Sequence, residues 1–131
     1  MIARILGKRL AANIATLILI LITIFHLFVI FGIVPYSIVW GGRITGKSQM
    51  VAFEAISFIV NLIIILLVLL RVDYIKTSRT NITRISMWII SSIFALNTLG
   101  NIFSASSLER AIFTPLTLLL ALLTYRLALK R

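Results

Sequence analysis

The sequence predicts an all-α integral membrane protein, an antiparallel four-helix bundle with both termini on the cytoplasmic side. Of its 131 residues, 61% are apolar and 12% are charged, whereas an ordinary soluble domain has roughly 45–50% apolar and about 25% charged residues. The apolar residues form four runs of about 20 residues, the length that an α-helix needs to cross a bilayer. Most Lys and Arg residues lie at the ends of these runs. A soluble core of this size could not bury so much apolar surface, so lipid is the expected solvent.

The four runs predict helices over residues 11–34, 51–70, 85–103 and 108–129, with an outer loop at 35–50, in one domain over 1–131. Leu, Ile and Val fill the runs without strict alternation, which argues against β-barrel strands. The first run follows basic residues, as the core of a signal peptide does. It is longer than the roughly 7–15 residues of such a core and ends without a small-residue cleavage pattern. We therefore expect it to remain as a transmembrane helix.

The basic residues predict the orientation. If the four runs cross the membrane in turn, ten Lys and Arg fall on one side and three on the other. Short cytoplasmic loops carry the excess of Lys and Arg in membrane proteins, so the side with ten is expected to be cytoplasmic. The three basic residues expected outside are Arg43, Lys47 and Arg110.

Composition also argues against several kinds of function. The chain has no cysteine and a single histidine, His26, so neither thiolates nor a histidine cluster can hold a metal. One histidine and three acidic residues do not supply a nucleophile with its base, so we expect no enzymatic activity and no cofactor. Anionic headgroups and membrane topology explain the net charge of +10 better than nucleic acid does.

Residues 41–48 read GGRITGKS and match the pattern G-x-x-x-x-G-K-[ST] of a phosphate-binding P-loop. A working P-loop needs a parallel sheet to position it and an acidic partner for Mg²⁺, and this chain has room for neither. The charge distribution also places the segment outside the cell, away from ATP. We interpret it as a Gly-rich surface turn in which Ser48 caps the second helix.

Polar side chains within the apolar runs are expected to gather in the outer half of the bundle. Glu54, Ser57 and Asn61 are spaced i, i+3 and i+7 and share one face of the second helix, while Asn97 and Asn101 share a face of the third. Polar groups in a bilayer are costly and often mark a binding site, although asparagines also hold helices together through hydrogen bonds worth about 0.6–2 kcal/mol. The candidate ligand-binding residues are His26, Trp40, Arg43, Glu54, Asn61, Asn97, Asn101 and Arg110.

The polar cluster leads to a geometric prediction. Glu54, Asn61 and Asn97 are expected to face the bundle interior and to line one cavity that opens to the outer side, beneath the outer loop. Glu54 would otherwise be a lone carboxylate near lipid, so we expect it to pair with Arg43 or Arg110. His26 is expected to be a packing or hydrogen-bonding residue, with proton exchange as its functional alternative.

Two local predictions concern the start of the fourth helix. Ser106 and Glu109 have the spacing of a capping box, in which each side chain bonds the backbone N–H of the other residue. Pro115 either falls inside the helix or starts a second helical segment, and a kink is expected there because proline lacks the N–H of a helical hydrogen bond.

Five parts of the sequence together carry a resemblance to known proteins: 34–43 (VPYSIVWGGR), Phe53–Glu54, Asn61, 96–101 (LNTLGN) and 113–115 (FTP). On these residues the chain resembles a group of small uncharacterised bacterial four-helix membrane proteins over nearly its whole length. The element Trp-Gly-Gly-Arg is the most specific part of the resemblance. It implies a bacterial plasma membrane and the four-helix fold, and it implies no activity.

Two hypotheses of function remain. In the first, a non-enzymatic membrane protein binds or passes a small ligand through the polar cluster. In the second, a structural or accessory subunit uses its polar residues only to pack helices or to contact a partner protein. The expected partners are the lipid bilayer, a small-molecule ligand, and a second copy of the chain or a partner membrane protein, with no nucleic acid.

Overall fold

The computed structural model describes residues 6–130, and the fold of these residues is all-α with four long helices. The helices are α1 (Lys8–Ile30), α2 (Lys47–Arg71), α3 (Thr80–Ile102) and α4 (Thr114–Ala128), and α4 directly continues a π-helical segment, Glu109–Phe113. Two short 3₁₀ turns, Tyr36–Ile38 and Trp40–Gly42, lie in the loop between α1 and α2.

All four helical segments are long and apolar enough to cross a membrane. The mean hydropathy of their most apolar windows is 2.5 for α1, 2.8 for α2, 1.4 for α3 and 1.7 for the joined segment Glu109–Ala128. Large apolar side chains such as Leu17, Leu62 and Leu96 are exposed on these helices. Exposed apolar faces of this extent suit contact with the apolar chains of lipid. A helix can lie among these chains because it satisfies its own backbone hydrogen bonds.

α1 ends at Ile30, four residues before the predicted end at 34. Gly32 has a φ of +76°, and the N–H of Ile33 donates to the carbonyl of Phe28 at 2.9 Å. This is the Schellman arrangement that closes a helix, and glycine is its preferred left-handed residue. The apolar run continues beyond the helix, because apolarity reports the environment of a segment and not its backbone conformation.

α2 begins at Lys47, four residues before the predicted start, and Ser48 does not cap it. Gly46 occupies the N-cap position without a side-chain hydrogen bond. The cap comes instead from Gln49, whose Oε1 accepts the N–H of Thr45 at 2.9 Å and its hydroxyl at 3.1 Å. The amide of Gln49 therefore satisfies a backbone donor just before the helix starts, as the acidic member of a capping box does.

At the start of the fourth segment, Pro115 lies at the beginning of a second helical segment, which is one of its two predicted positions, whereas the capping box forms only in part. Glu109–Phe113 is π-helical, and Pro115 lies in the first turn of α4, where a missing N–H is tolerated. The helix type therefore changes immediately before Pro115. Only half of the capping box forms, since the N–H of Glu109 donates weakly to Ser106 Oγ at 3.5 Å while its carboxylate bonds the outer loop.

Two apolar clusters hold the bundle together. The larger one contains the small residues Ala11, Ala12 and Ala15 of α1 together with buried side chains of the other three helices, among them Met87. Small residues allow helices to approach closely in a membrane. The smaller cluster lies beneath the loop between α1 and α2 and comprises Val29, Val39, Ile44 and Met50.

Candidate ligand-binding site

A cavity of about 510 Å³ lies between these helices, within the range of about 300–1,000 Å³ that is typical of small-molecule sites. Residues of α1, α2, α3, the π-helical segment, α4 and the outer loop all contribute to its wall. Arg110 does not, because its guanidinium donates to the carbonyl of Ser104 at 2.6 Å instead. The other seven predicted site residues do line it: His26, Trp40, Arg43, Glu54, Asn61, Asn97 and Asn101.

Glu54 is held by His26 and Trp40, so the predicted ion pair with Arg43 or Arg110 is wrong. Its side chain is fully buried. One carboxylate oxygen is hydrogen-bonded to Nδ1 of His26, and the other accepts the indole N–H of Trp40 at 2.9 Å. Long arginine side chains can reach water near the interface, whereas imidazole and indole groups can stay beside a buried carboxylate.

Glu109 is a second buried carboxylate on the cavity wall, with 8% of its surface exposed. Its Oε2 accepts the backbone N–H of Gly41 at 2.9 Å and the hydroxyl of Ser104. Among residues 6–130, no Lys, Arg or His lies within ion-pair distance of it. The carboxylate is therefore balanced by hydrogen bonds from two neutral donors and by its place at the start of a helical segment.

The outer loop closes one end of the cavity, and we call its segment at 35–46 the roof. Three hydrogen bonds fasten it: Trp40 to Glu54, Gly41 to Glu109, and the hydroxyl of Ser106 to the carbonyl of Ile38 at 2.8 Å. Each bond reaches a different structural element, so the roof ties the bundle across its end.

The centre of the roof is a left-handed turn. Trp40, Gly41 and Gly42 have φ values of +54°, +66° and +73°. This conformation suits glycine, but it costs a residue with a Cβ roughly 1–2 kcal/mol. The ring of Trp40 packs on Phe53 at a centroid distance of 5.0 Å, and with the bond to Glu54 this contact compensates for the strain. Backbone strain of this kind concentrates at functional sites.

The P-loop-like segment has none of the surroundings of a phosphate site. It follows a 3₁₀ turn, not a strand. The N–H of Gly41, a group that such a loop would aim at phosphate, donates to the carboxylate of Glu109.

Asn61 and Asn101 differ in how their amides are used. Asn101 donates to Thr117 Oγ1 at 3.2 Å, and Thr98 donates to the same oxygen at 3.0 Å, which joins α3 to α4. Asn61 is only 8% exposed, yet its amide makes no hydrogen bond within the described part of the chain. Buried amides without partners are rare, because each unmade bond costs about 1–3 kcal/mol.

The cavity is accessible through a mouth at the side of the bundle, between α2 and α3, and the roof residues Trp40 and Arg43 that line it are exposed as well. Exposed residues of both helices form its edge: Ile56 and Val60 on α2, with 59% and 44% of their surfaces exposed, and Leu96 on α3 with 67%. Asn97 is exposed at this mouth and does not face the interior. It makes no hydrogen bond with Asn61, so the space between these helices remains open.

Sequence reasoning missed three polar contributors to the wall, Glu109, Ser104 and Thr117. Glu109 was interpreted as a capping residue at the start of the fourth helix and was not among the candidate ligand-binding residues. A sequence signal did exist, because it is one of three acidic residues in the chain and immediately follows an outer loop. Nothing in the sequence marks Ser104, whose role depends on how the chain turns between α3 and the π-helical segment.

No family model, no curated protein and no solved structure matches this chain.

Proposed function

We propose that this chain is a non-enzymatic, multi-pass membrane protein that binds a small ligand in the cavity between its helices. The observation that carries the proposal is the amide of Asn61, which lines the cavity, is buried and has no hydrogen-bond partner among residues 6–130. An amide offers both N–H donors and a carbonyl acceptor. A ligand with a complementary polar group would satisfy it.

The competing function, an accessory subunit whose polar residues only pack helices, accounts for Asn101 better than for Asn61. An asparagine that joins helices bonds a group on the neighbouring helix, as Asn101 does with Thr117. Asn61 lies among the helices and contributes no such bond. The free energy that this unpaired amide costs the folded protein is explained if Asn61 serves to bind a ligand.

The orientation and location belong to the same proposal. The bundle is antiparallel with both termini in the cytoplasm, supported by ten basic residues on that side against three on the other. The cavity then lies in the outer half of the membrane, and the roof faces the exterior. The resemblance to small bacterial proteins supports the plasma membrane of a bacterium.

Thermal unfolding with a library of small compounds tests the proposal. Compounds that bind the folded state raise the melting temperature of detergent-purified protein in proportion to their concentration. Asn61→Leu, which is close in size, should abolish this increase and raise the melting temperature of the free protein, because it removes the unpaired amide. Asn101→Leu is the packing comparison and should lower the melting temperature of the free protein, because it removes the hydrogen bond to Thr117.

The opposite pattern would overturn the proposal. If no compound stabilises the protein and Asn61→Leu lowers the melting temperature as much as Asn101→Leu does, Asn61 is a packing residue.

A further inference from the structure

The position of the cavity mouth bears on where a ligand comes from. The roof is bonded to α2, to the π-helical segment and to the turn before it, so hydrogen bonds hold it over that end of the bundle. A side opening lies between α2 and α3, and its edge carries the exposed apolar residues Ile56, Val60 and Leu96. These residues belong to helices that are apolar enough to span a bilayer, so the mouth faces acyl chains.

The charges within the cavity bear on the chemistry of the ligand. Glu54 has an imidazole partner in His26. Glu109 has no cationic partner in the described part of the chain, and its Oε1 accepts no hydrogen bond there. Among residues 6–130, Arg43 is the one guanidinium on the wall, and its side chain is exposed without an ion pair to either carboxylate. A carboxylate in a poorly solvated site gains most from a positive charge placed beside it.

We infer that the cavity takes an amphipathic amine from the bilayer. This inference rests on the proposed function and specifies its ligand. The apolar body enters sideways between α2 and α3, and the ammonium group donates to the free oxygen of Glu109. The unpaired Nδ2 of Asn61 donates to an acceptor atom elsewhere on the natural ligand. The cavity volume of about 510 Å³ equals that of about 17 water molecules in the liquid, enough for a medium-length alkyl amine.

Trp40 provides a reporter inside the site. The chain has two tryptophans, and the second, Trp88, packs on Tyr125. Gly100, an exposed residue of the cavity wall on α3, lies about 18 Å along the helix from Trp88 at 1.5 Å per residue. Trp88→Phe protein in lipid nanodiscs therefore reports on Trp40 alone. Bromine quenches tryptophan fluorescence at short range, so 11-bromoundecylamine serves as the probe and 11-bromoundecanol as its uncharged match. Trp40→Phe protein, which keeps Trp88, measures quenching by probe dissolved in the lipid.

Quenching of Trp40 by the amine should saturate at a low mole fraction of probe in lipid. Quenching of Trp40 by the alcohol, and quenching of Trp88 in the Trp40→Phe protein, should instead rise gradually and linearly, because the probe then only dissolves in the lipid. In the Trp88→Phe background, Glu109→Gln should weaken saturable binding of the amine at least tenfold. Equal saturable quenching by the alcohol would overturn the inference, because the charge of the ligand would then be irrelevant.

The sideways route has a separate test that leaves the carboxylates intact. Gly100 is an exposed residue of the cavity wall, and a Cβ added there meets no atom within 4 Å, so we expect the ring of Gly100→Phe to extend into the mouth. It should remove saturable quenching by the amine. Leu99→Phe, an exposed neighbour outside the cavity wall, is the matched control and should leave quenching unchanged. Unchanged quenching in Gly100→Phe would overturn entry between α2 and α3.

Failure of this inference is distinguishable from failure of the proposed function. If water-soluble compounds stabilise the protein and Asn61→Leu abolishes their effect while neither bromoalkyl probe saturates, the cavity binds a ligand of another class. If neither the compounds nor the probes bind, the proposed function fails as well.

Discussion

The indole N–H of Trp40 donates to Glu54 at 2.9 Å, so a loop residue with left-handed backbone bonds a carboxylate that is fully buried in α2. The same carboxylate bonds His26 of α1. Three elements of the chain therefore share one carboxyl group, and its removal affects each of them.

Trp40→Phe should loosen the roof. The substitution keeps an aromatic ring for Phe53 but removes a hydrogen bond to a carboxylate, a type worth about 1.5–3 kcal/mol. Trypsin should cleave after the exposed Arg43 roughly tenfold or more faster in detergent. Trp88→Phe, which lies on α3 away from the roof, should leave the cleavage rate unchanged. A rate equal to that of the natural protein in Trp40→Phe would show that the bond does not hold the loop.

Gly42→Ala should destabilise the protein, whereas Gly46→Ala should not do so appreciably. Gly42 has a φ of +73°, and an added Cβ would lie 3.4 Å from the carbonyl oxygen of Ser37. The expected loss is about 1–2 kcal/mol, measurable as a lower melting temperature in detergent. Gly46 has an extended backbone and open space around the position of a Cβ. Equal losses in the two variants would contradict a special role for the left-handed turn.

Cysteine labelling tests the orientation in the membrane. The chain has no cysteine, so Lys47→Cys and Lys76→Cys each introduce a single thiol at an exposed position. The charge distribution predicts that an impermeant maleimide labels intact bacterial cells only at position 47. Both positions should react in permeabilised cells, which controls for accessibility. Labelling at position 76 in intact cells would reverse the orientation.

Arg71→Met should fray the end of α4. Arg71 donates to the carbonyls of Leu127 at 2.7 Å and Leu129 at 3.2 Å, and carbonyls at a helix end have no partners within the helix. The expected loss is about 1–2 kcal/mol, with faster amide hydrogen exchange confined to the last turn. Arg79→Met removes a guanidinium that makes no side-chain hydrogen bond within the described residues. If both variants exchange alike, Arg71 does not cap this helix.

The existence of the four helices was predictable because a run of about 20 apolar residues has one stable backbone in lipid. Their ends were less so. α1 stops where Gly32 adopts a positive φ, although apolar residues continue to Val34. α2 begins as early as Lys47 because Gln49 supplies a cap. Each of these two helix ends is determined by a single residue, and a hydropathy pattern does not report such residues.

The partner of Glu54 was missed because the prediction compared charges and ignored packing. His26 lies four residues before the end of α1, about 6 Å along the axis, and Glu54 lies seven after the start of α2, about 10 Å. Matching these depths would have favoured the imidazole. The bond from Gly41 to Glu109 had no comparable signal, because it depends on a left-handed tryptophan, and the sequence does not indicate that conformation for a residue with a Cβ.

The two carboxylates of the cavity hold consecutive residues of the roof. Glu54 on α2 bonds Trp40, and Glu109 at the start of the fourth membrane segment bonds Gly41. Neighbouring Cα atoms are about 3.8 Å apart across a planar, nearly inextensible peptide. α2 and α4 make few direct contacts with each other, so this short tie limits how far the two segments can separate at that end of the bundle. Any widening of the cavity there must break one of the two bonds or unwind the left-handed turn.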